Sequence, residues 1–336
     1  MVAAYPLGDQ ALSINLTFQI HDFRPRPGSV RAVLIGFGAP ISGAWAGPAN
    51  LRRIGRRAEE LGYSSLWTMS RLLSPEDNSM GEQYREVRDP VVALAYLAGQ
   101  TERIRLGVAV LNAPFFAPVL LAKQVASLDE VSGGRLDLGL GAGWSDDEYA
   151  AVGLPKNHRG RRIEEYLRVL DVLFADDVVE YSGEFYHVPR SRADPKPVQR
   201  PRPPILLGGT AAPALRRAGR VAEGWVSSSR VDPATIGTSI DVVRGAAAEA
   251  GRDPNSLRFV CRGVVRLGPG GVSNRRPLTG DFAEIRADLR ELERQGVTEV
   301  FVDLNFDPEV SSPDADPATA LSRAEEVLEA LAPANR

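Results

Sequence analysis

One feature constrains this chain more than any other: from residue 31 onward, short β-branched runs alternate with amphipathic helical stretches. RAVLIGF reads as a strand, and ANLRRIGRRAEELG then sets Leu51, Ile54, Ala58 and Leu61 on one helical face before Gly62 ends it. SSLWT is the next strand, and Asp89 with Pro90 supplies an N-cap and first-turn proline for VVALAYLAGQ. The rhythm continues through IRLGVAVL, PVLLAKQVASLDE, RLDLGLG, RIEEYLRVLDVLF, PILLGG, APALRRAG, GWVSS, TIGTSIDVVRGAAAEAG, LRFVCRGVVRL, FAEIRADLRELERQG, TEVFVDL and ATALSRAEEVLEAL. Strands separated by single helices favour a parallel sheet. Eight such units favour closure into an α/β (β/α)₈ TIM barrel over an open doubly wound sheet.

Two connections are too long for turns: residues 69–88 after the second strand and residues 176–203 after the fourth helix. Within the second, VVEYSGEFYHV reads as a hairpin with Ser182 and Gly183 at its turn, suited to covering an edge. Residues 1–29 end in the proline-rich DFRPRPGS and read as an N-terminal arm before a catalytic domain of residues 30–336.

The formal net charge of −3 is spread in mixed sign, so no field attracts nucleic acid or an anionic membrane, and the expected partner is a small molecule. No stretch reaches the roughly 20 apolar residues of a membrane span, and the start lacks the pattern of a secretory signal. Cys261 is the single cysteine. That excludes an internal disulfide and fits a reducing, cytoplasmic setting.

His21, His158 and His187 lack metal-ligand spacing, so no metal is expected. There is neither a G-x-S-x-G elbow nor a phosphate loop of the Walker type, and no lysine ends a strand. A cofactor is then expected to carry any difficult chemistry. GLGAGW lacks the final glycine of the dinucleotide fingerprint, because Trp144 stands there. Gly139, Gly141 and Gly143 instead end a strand, where small residues serve either packing or the close approach of a flat ligand. Gly208, Gly209 and Thr210 precede a helix N-terminus and suit a cofactor phosphate.

Four ordered blocks carry a resemblance: AEELGYSSLW; TERIRLGVAVLNAPFFAPVLLAKQVASLDEVSGGRLDLGLGAGWSDDEYAAVGL; RGRRIEEYLRVL; and PKPVQRPRPPILLGGTAAPALRRAGRVAEGW. Together they resemble the bacterial-luciferase-like flavin-dependent oxidoreductases, in the branch that uses deazaflavin coenzyme F420. The resemblance implies a barrel whose mouth seats the ring across strands 3 to 5, and a non-prolyl cis peptide joining Ala109 to Val110 behind it. It further implies that Asn112 and Ala113 line the ring edge, and that Gly141, Ala142, Gly143 and Trp144 lie beside the ring or its side chain. Gly208, Gly209 and Thr210 would meet the phosphate. Arg159 would either reach the acidic tail of the cofactor or make a helix-start salt bridge. A homodimer is also implied.

Many relatives carry an acidic residue and a histidine at the end of strand 2, whereas this chain has Ser70 and Arg71; where sugar-phosphate dehydrogenases carry a glutamate after strand 4, it has Trp144. A histidine base for alcohol oxidation is thus missing. The expected reaction is hydride transfer that reduces an activated double bond, with Trp67, Ser70 and Arg71 as the candidate catalytic residues. Trp45, Trp67, Phe115 and Trp144 would wall the site. Arg71 would hold a carboxylate or a developing enolate, or else pair with an acidic neighbour. The alternatives are a two-component monooxygenase using reduced FMN and a non-catalytic flavin-binding protein.

Overall fold

Eight strands close into a parallel ring in the computed structural model, which describes residues 32–335. They are β1 (Leu34–Gly38), β2 (Ser65–Thr68), β3 (Arg105–Asn112), β4 (Leu136–Gly141), β7 (Ile205–Gly208), β8 (Gly224–Val226), β9 (Arg258–Val264) and β12 (Glu299–Asp303). β12 pairs with both β9 and β1, which completes the ring. The TIM-barrel expectation holds. The N-terminal arm lies outside the described residues.

Side chains alternate along a strand, so every second residue points into the barrel and the interior fills in layers. The lowest layer, at the amino ends, is ionic. Asp137 is fully buried and accepts from Arg105 Nε at 2.9 Å and from Arg258 Nη1 at 2.6 Å. Arg258 also reaches Glu299 at 2.9 Å. Burial alone would raise the Asp137 carboxyl, but the charges of Arg105 and Arg258 hold it well below the usual carboxylate range. Above this network comes an apolar layer of Trp67, Ala109, Leu206, Val226, Val260 and Phe301. The Trp67 ring stacks on Phe301 with centroids 5.3 Å apart, and a Cβ on Gly107 would meet it at 2.5 Å. Glycine on β3 therefore makes room for the indole.

The helices α1 (Pro48–Glu60), α2 (Pro90–Ala98), α3 (Pro118–Val131), α5 (Arg159–Ala175), α6 (Ala212–Val221), α7 (Ile236–Glu249), α8 (Phe282–Arg294) and α10 (Pro317–Ala330) follow the strands in order. Asp89 caps α2 as expected, its side chain accepting from Val92 N at 2.9 Å. Leu51, Ile54 and Ala58 of α1 are buried; Leu61 falls just past its end. The expected hairpin is β5 (Val179–Ser182) paired antiparallel with β6 (His187–Ser191). Its turn rests on the buried Glu165 carboxylate, which accepts the amides of Glu184, Phe185 and Tyr186.

The structure corrects one strand and adds two short helices. The run Leu257–Leu267, read as one strand, divides: β9 ends at Val264, and β10 (Arg266–Leu267) leaves the barrel to pair with β11 (Thr279–Gly280). Alternation in the sequence persists across that break and so conceals it. Helices α4 (Asp146–Ala151) and α9 (Pro308–Ser311) were not foreseen, being too short to show a helical period.

Candidate functional site at the barrel mouth

At the carboxyl end of β3 the register against β4 shifts between Val108 and Leu111, and the Ala109–Val110 peptide is cis. Val110 stays half-buried and its isopropyl group leans over the ends of two neighbouring strands. A Cβ on Gly141 would lie 2.7 Å from Val110 Cγ2, and one on Gly208 would lie 3.0 Å from Cγ1. At Gly139 a Cβ would meet the Val108 carbonyl oxygen at 1.9 Å. Glycine at these positions thus lets the bulge of β3 lie flat against β4 and β7. Asn112, 8% exposed, brings its Oδ1 beside Gly141. Val110 and the side-chain-free ends of β4 and β7 together form the floor of the mouth.

Beyond Gly208 the chain turns through Gly209, whose φ of +130° favours glycine and whose carbonyl accepts from Trp225 Nε1 at 2.8 Å. Helix α6 follows, and its N-cap Ala211 offers no side-chain cap. Pro213 in its first turn carries no N–H and the Ala214 amide donates to the Ala211 carbonyl at 2.8 Å, so the helix start offers its positive dipole end beside the exposed Thr210 hydroxyl. This arrangement suits an anion.

The rim is built by the segment after β4. Gly143 takes φ +74°, with Phe115 and Tyr149 edge to face behind it at 5.0 Å. Tyr149 donates its hydroxyl to the Ala142 carbonyl. Arg159, exposed at the start of α5, donates to the Gly143 carbonyl at 3.0 Å. Trp144 is 40% exposed and lies between two guanidinium groups, Arg71 at 4.7 Å and Arg230 at 4.6 Å.

Arg71 is anchored by one ion pair and by ring contacts, while its Nε and Nη1 make no hydrogen bond among the described residues. Its side chain is 4% exposed, ion-pairs with the fully buried Glu148 at 3.2 Å and stacks on Tyr84 at 4.8 Å. Glu148 also accepts the Leu72 amide at 2.8 Å. Of the two roles open to Arg71 in the sequence, the structure displays the pairing. Ser70 is half-buried in the same loop. The wall expectation is corrected for two aromatics: Trp45 is fully buried and Trp67 is 1% exposed, so neither lines an open site. Trp67 instead donates its indole N–H to Ser65 and Glu299, both at 2.8 Å, toward the lower layer. Phe115 and Trp144 keep exposed surface.

The sequence reading passed over three side chains that order this mouth. Glu148 is one. The others are Arg262 on β9 and Asp303 on β12, which ion-pair at 3.2 Å. Arg262 crosses the barrel and donates from Nη2 to the Ala109 carbonyl at 2.7 Å. A charge inside an apolar run, FVCRGVV or VFVDL, was the available signal.

Comparison with known proteins decides the family: the luciferase-like monooxygenase model matches residues 31–270. The chain belongs to that family. An uncharacterised Mycobacterium tuberculosis protein is 33% identical over 265 residues, 71% of this chain and 91% of the relative. An FMNH₂-dependent dimethylsulfone monooxygenase of Pseudomonas putida is 31% identical over 203 residues, covering 60% and 54%. Among solved structures, a Streptomyces bottropensis monooxygenase superposes with a TM-score of 0.73 at 22% identity, covering 90% of this chain and 100% of the other. A coenzyme F420-dependent tetrahydromethanopterin reductase from Methanopyrus kandleri gives 0.68 at 19% identity with the same coverage. These superpositions establish the shared luciferase-like fold, and family membership makes a flavin-type oxidoreductase the functional frame.

Proposed function

We propose that this luciferase-like protein is a coenzyme F420-dependent oxidoreductase that reduces an activated double bond of a small organic substrate. The observation that carries the reading is the floor made by Val110 over Gly139, Gly141 and Gly208, continuous with the open N-terminus of α6. Floor and anion site together fit a flat ring joined to a phosphate.

When bound, the deazaflavin supplies a hydride from C5. Ala109, Val110, Asn112 and Gly141 would hold the ring, and Ala142, Gly143 and Trp144 its edge and side chain. Gly208, Gly209 and Thr210 would bind the phosphate through backbone amides and a hydroxyl. Arg159, charged and exposed on the rim, supports the choice of a cofactor with an acidic tail. Ser70 and Arg71 follow β2, where a histidine base would serve an alcohol dehydrogenase, and Arg71 is held by Glu148; both features support reduction. Trp144 and Phe115 would shield the reacting face from water.

A second reading, a monooxygenase using reduced FMN, is favoured by the 31% identity to the dimethylsulfone enzyme. A non-catalytic flavin-binding protein is the third. Titration of the purified protein with F420 and FMN in parallel, followed by fluorescence, tests the choice. Tighter F420 binding without oxygen uptake is the expected result; tighter FMN binding with oxygen uptake would install the second reading. Tight binding with no redox turnover of any substrate would install the third.

A further inference from the structure

We infer that Arg262 is a positioning residue that both holds the floor of the ring seat and tunes the redox potential of whatever flavin-type ring occupies it; this rests on the cofactor reading above. Arg262 starts on β9 and ends on the opposite side of the barrel, where its Nη2 donates to the Ala109 carbonyl at 2.7 Å. Ala109 immediately precedes Val110, the residue whose side chain covers Gly141 and Gly208. The arginine therefore clamps the backbone from which the seat projects.

The clamp is itself fixed. Its guanidinium lies 5.4 Å from the Phe301 ring and 5.3 Å from Phe306, and its Nε faces Asp303 Oδ2 at 3.2 Å. The Arg262 amide donates to Ser227 Oγ at 2.9 Å. Asp303 in turn accepts the backbone and side-chain N–H groups of Asn305 at 3.0 and 2.9 Å. The carboxylate is thus satisfied behind the pair, away from β3. A buried ion pair with this orientation is a fixed dipole whose positive end points at Ala109.

Orientation gives the pair a function that packing alone lacks. Arg262 is 9% exposed and Asp303 only 1%, so the interaction is weakly screened by water. A ring that accepts a hydride or two electrons gains negative charge, and a preorganised positive group beneath it favours the reduced form. Replacing the cation and replacing its anion should then move the potential in opposite directions. Simple loosening of the floor would move both the same way.

The test uses the full-length protein and the variants Arg262→Met, Arg262→Lys and Asp303→Asn, with FMN and F420 as probes. Dissociation constants come from fluorescence, and midpoint potentials from dithionite titration of the bound FMN. For Arg262→Met, affinity for the oxidised probe should weaken about tenfold, and that for the reduced probe about a hundredfold. The tenfold difference lowers the two-electron potential by about 30 mV. Arg262→Lys should recover part of both effects, and Asp303→Asn should raise the potential. Folding of each variant is checked by circular dichroism. If wild type binds either probe and folded Arg262→Met binds it with unchanged affinity and potential, the inference is overturned while the cofactor reading stands. Shifts of the same sign in Arg262→Met and Asp303→Asn would also overturn it. Failure of wild type to bind both probes would overturn the cofactor reading and this inference together.

Discussion

Glu148 holds Arg71: one buried carboxylate pairs with the guanidinium at 3.2 Å while accepting the amide of Leu72 at 2.8 Å. The residue after the second barrel strand is thereby tied to the short helix after the fourth. Sequence separation hides this lock, because the partners stand 77 positions apart.

Glu148→Ala strips a buried arginine of its counter-ion, which should cost about 3 kcal/mol in chemical denaturation. Arg71→Ala should destabilise similarly, and the double variant should be less damaged than the sum of the two. Turnover should fall in both single variants with cofactor affinity nearly intact. Unaltered turnover in Arg71→Ala would remove it from the site.

Gly141→Ala places a methyl group 2.7 Å from Val110 Cγ2. Cofactor affinity measured by fluorescence should fall by about tenfold or more, because the floor must buckle. Adding Val110→Ala removes the opposing methyl groups and should restore much of the binding. No rescue would mean that Gly141 serves the floor in some other way.

Asp137 sits in the ionic layer with its carboxyl held low by two arginines. A depressed folded pKa contributes stability that is complete above the unfolded value, about 3.9, and is lost as pH falls toward the folded one. Asp137→Asn should therefore cost about 3 kcal/mol at pH 7. Urea melts of the two proteins should converge progressively below about pH 4. A gap that stays constant to pH 2 would contradict the assignment.

Burial pushes the Cys261 thiol up to about 12, and the residue is 2% exposed. At pH 8 it should resist a disulfide reagent in the native protein and react promptly in denaturant. Rapid native labelling would show that β9 opens locally.

The barrel was legible in the sequence because each of its strands and helices buries a patterned face, and that pattern is local. Asp89 and Pro90 starting α2, and the hairpin itself, were readable for the same reason, although Ser182 closes β5 opposite His187 and leaves the turn to residues 183–186. Trp67 was misread as a wall because an aromatic at a strand end looks alike whether it points into the layer below or into an open mouth.

What the sequence determined alone was the alternation of elements and the glycines that end β4 and β7; the place of the bulge at Ala109 and Val110 followed only from the family resemblance. Tertiary structure decided which distant charges meet: Arg71 with Glu148, Arg258 with Asp137, Arg262 with Asp303 and the Ala109 carbonyl. Periodicity can place a residue on the inner face of a strand. Which residue it meets there depends on how the strands are staggered around the closed ring, and that stagger is a property of the whole barrel rather than of any segment.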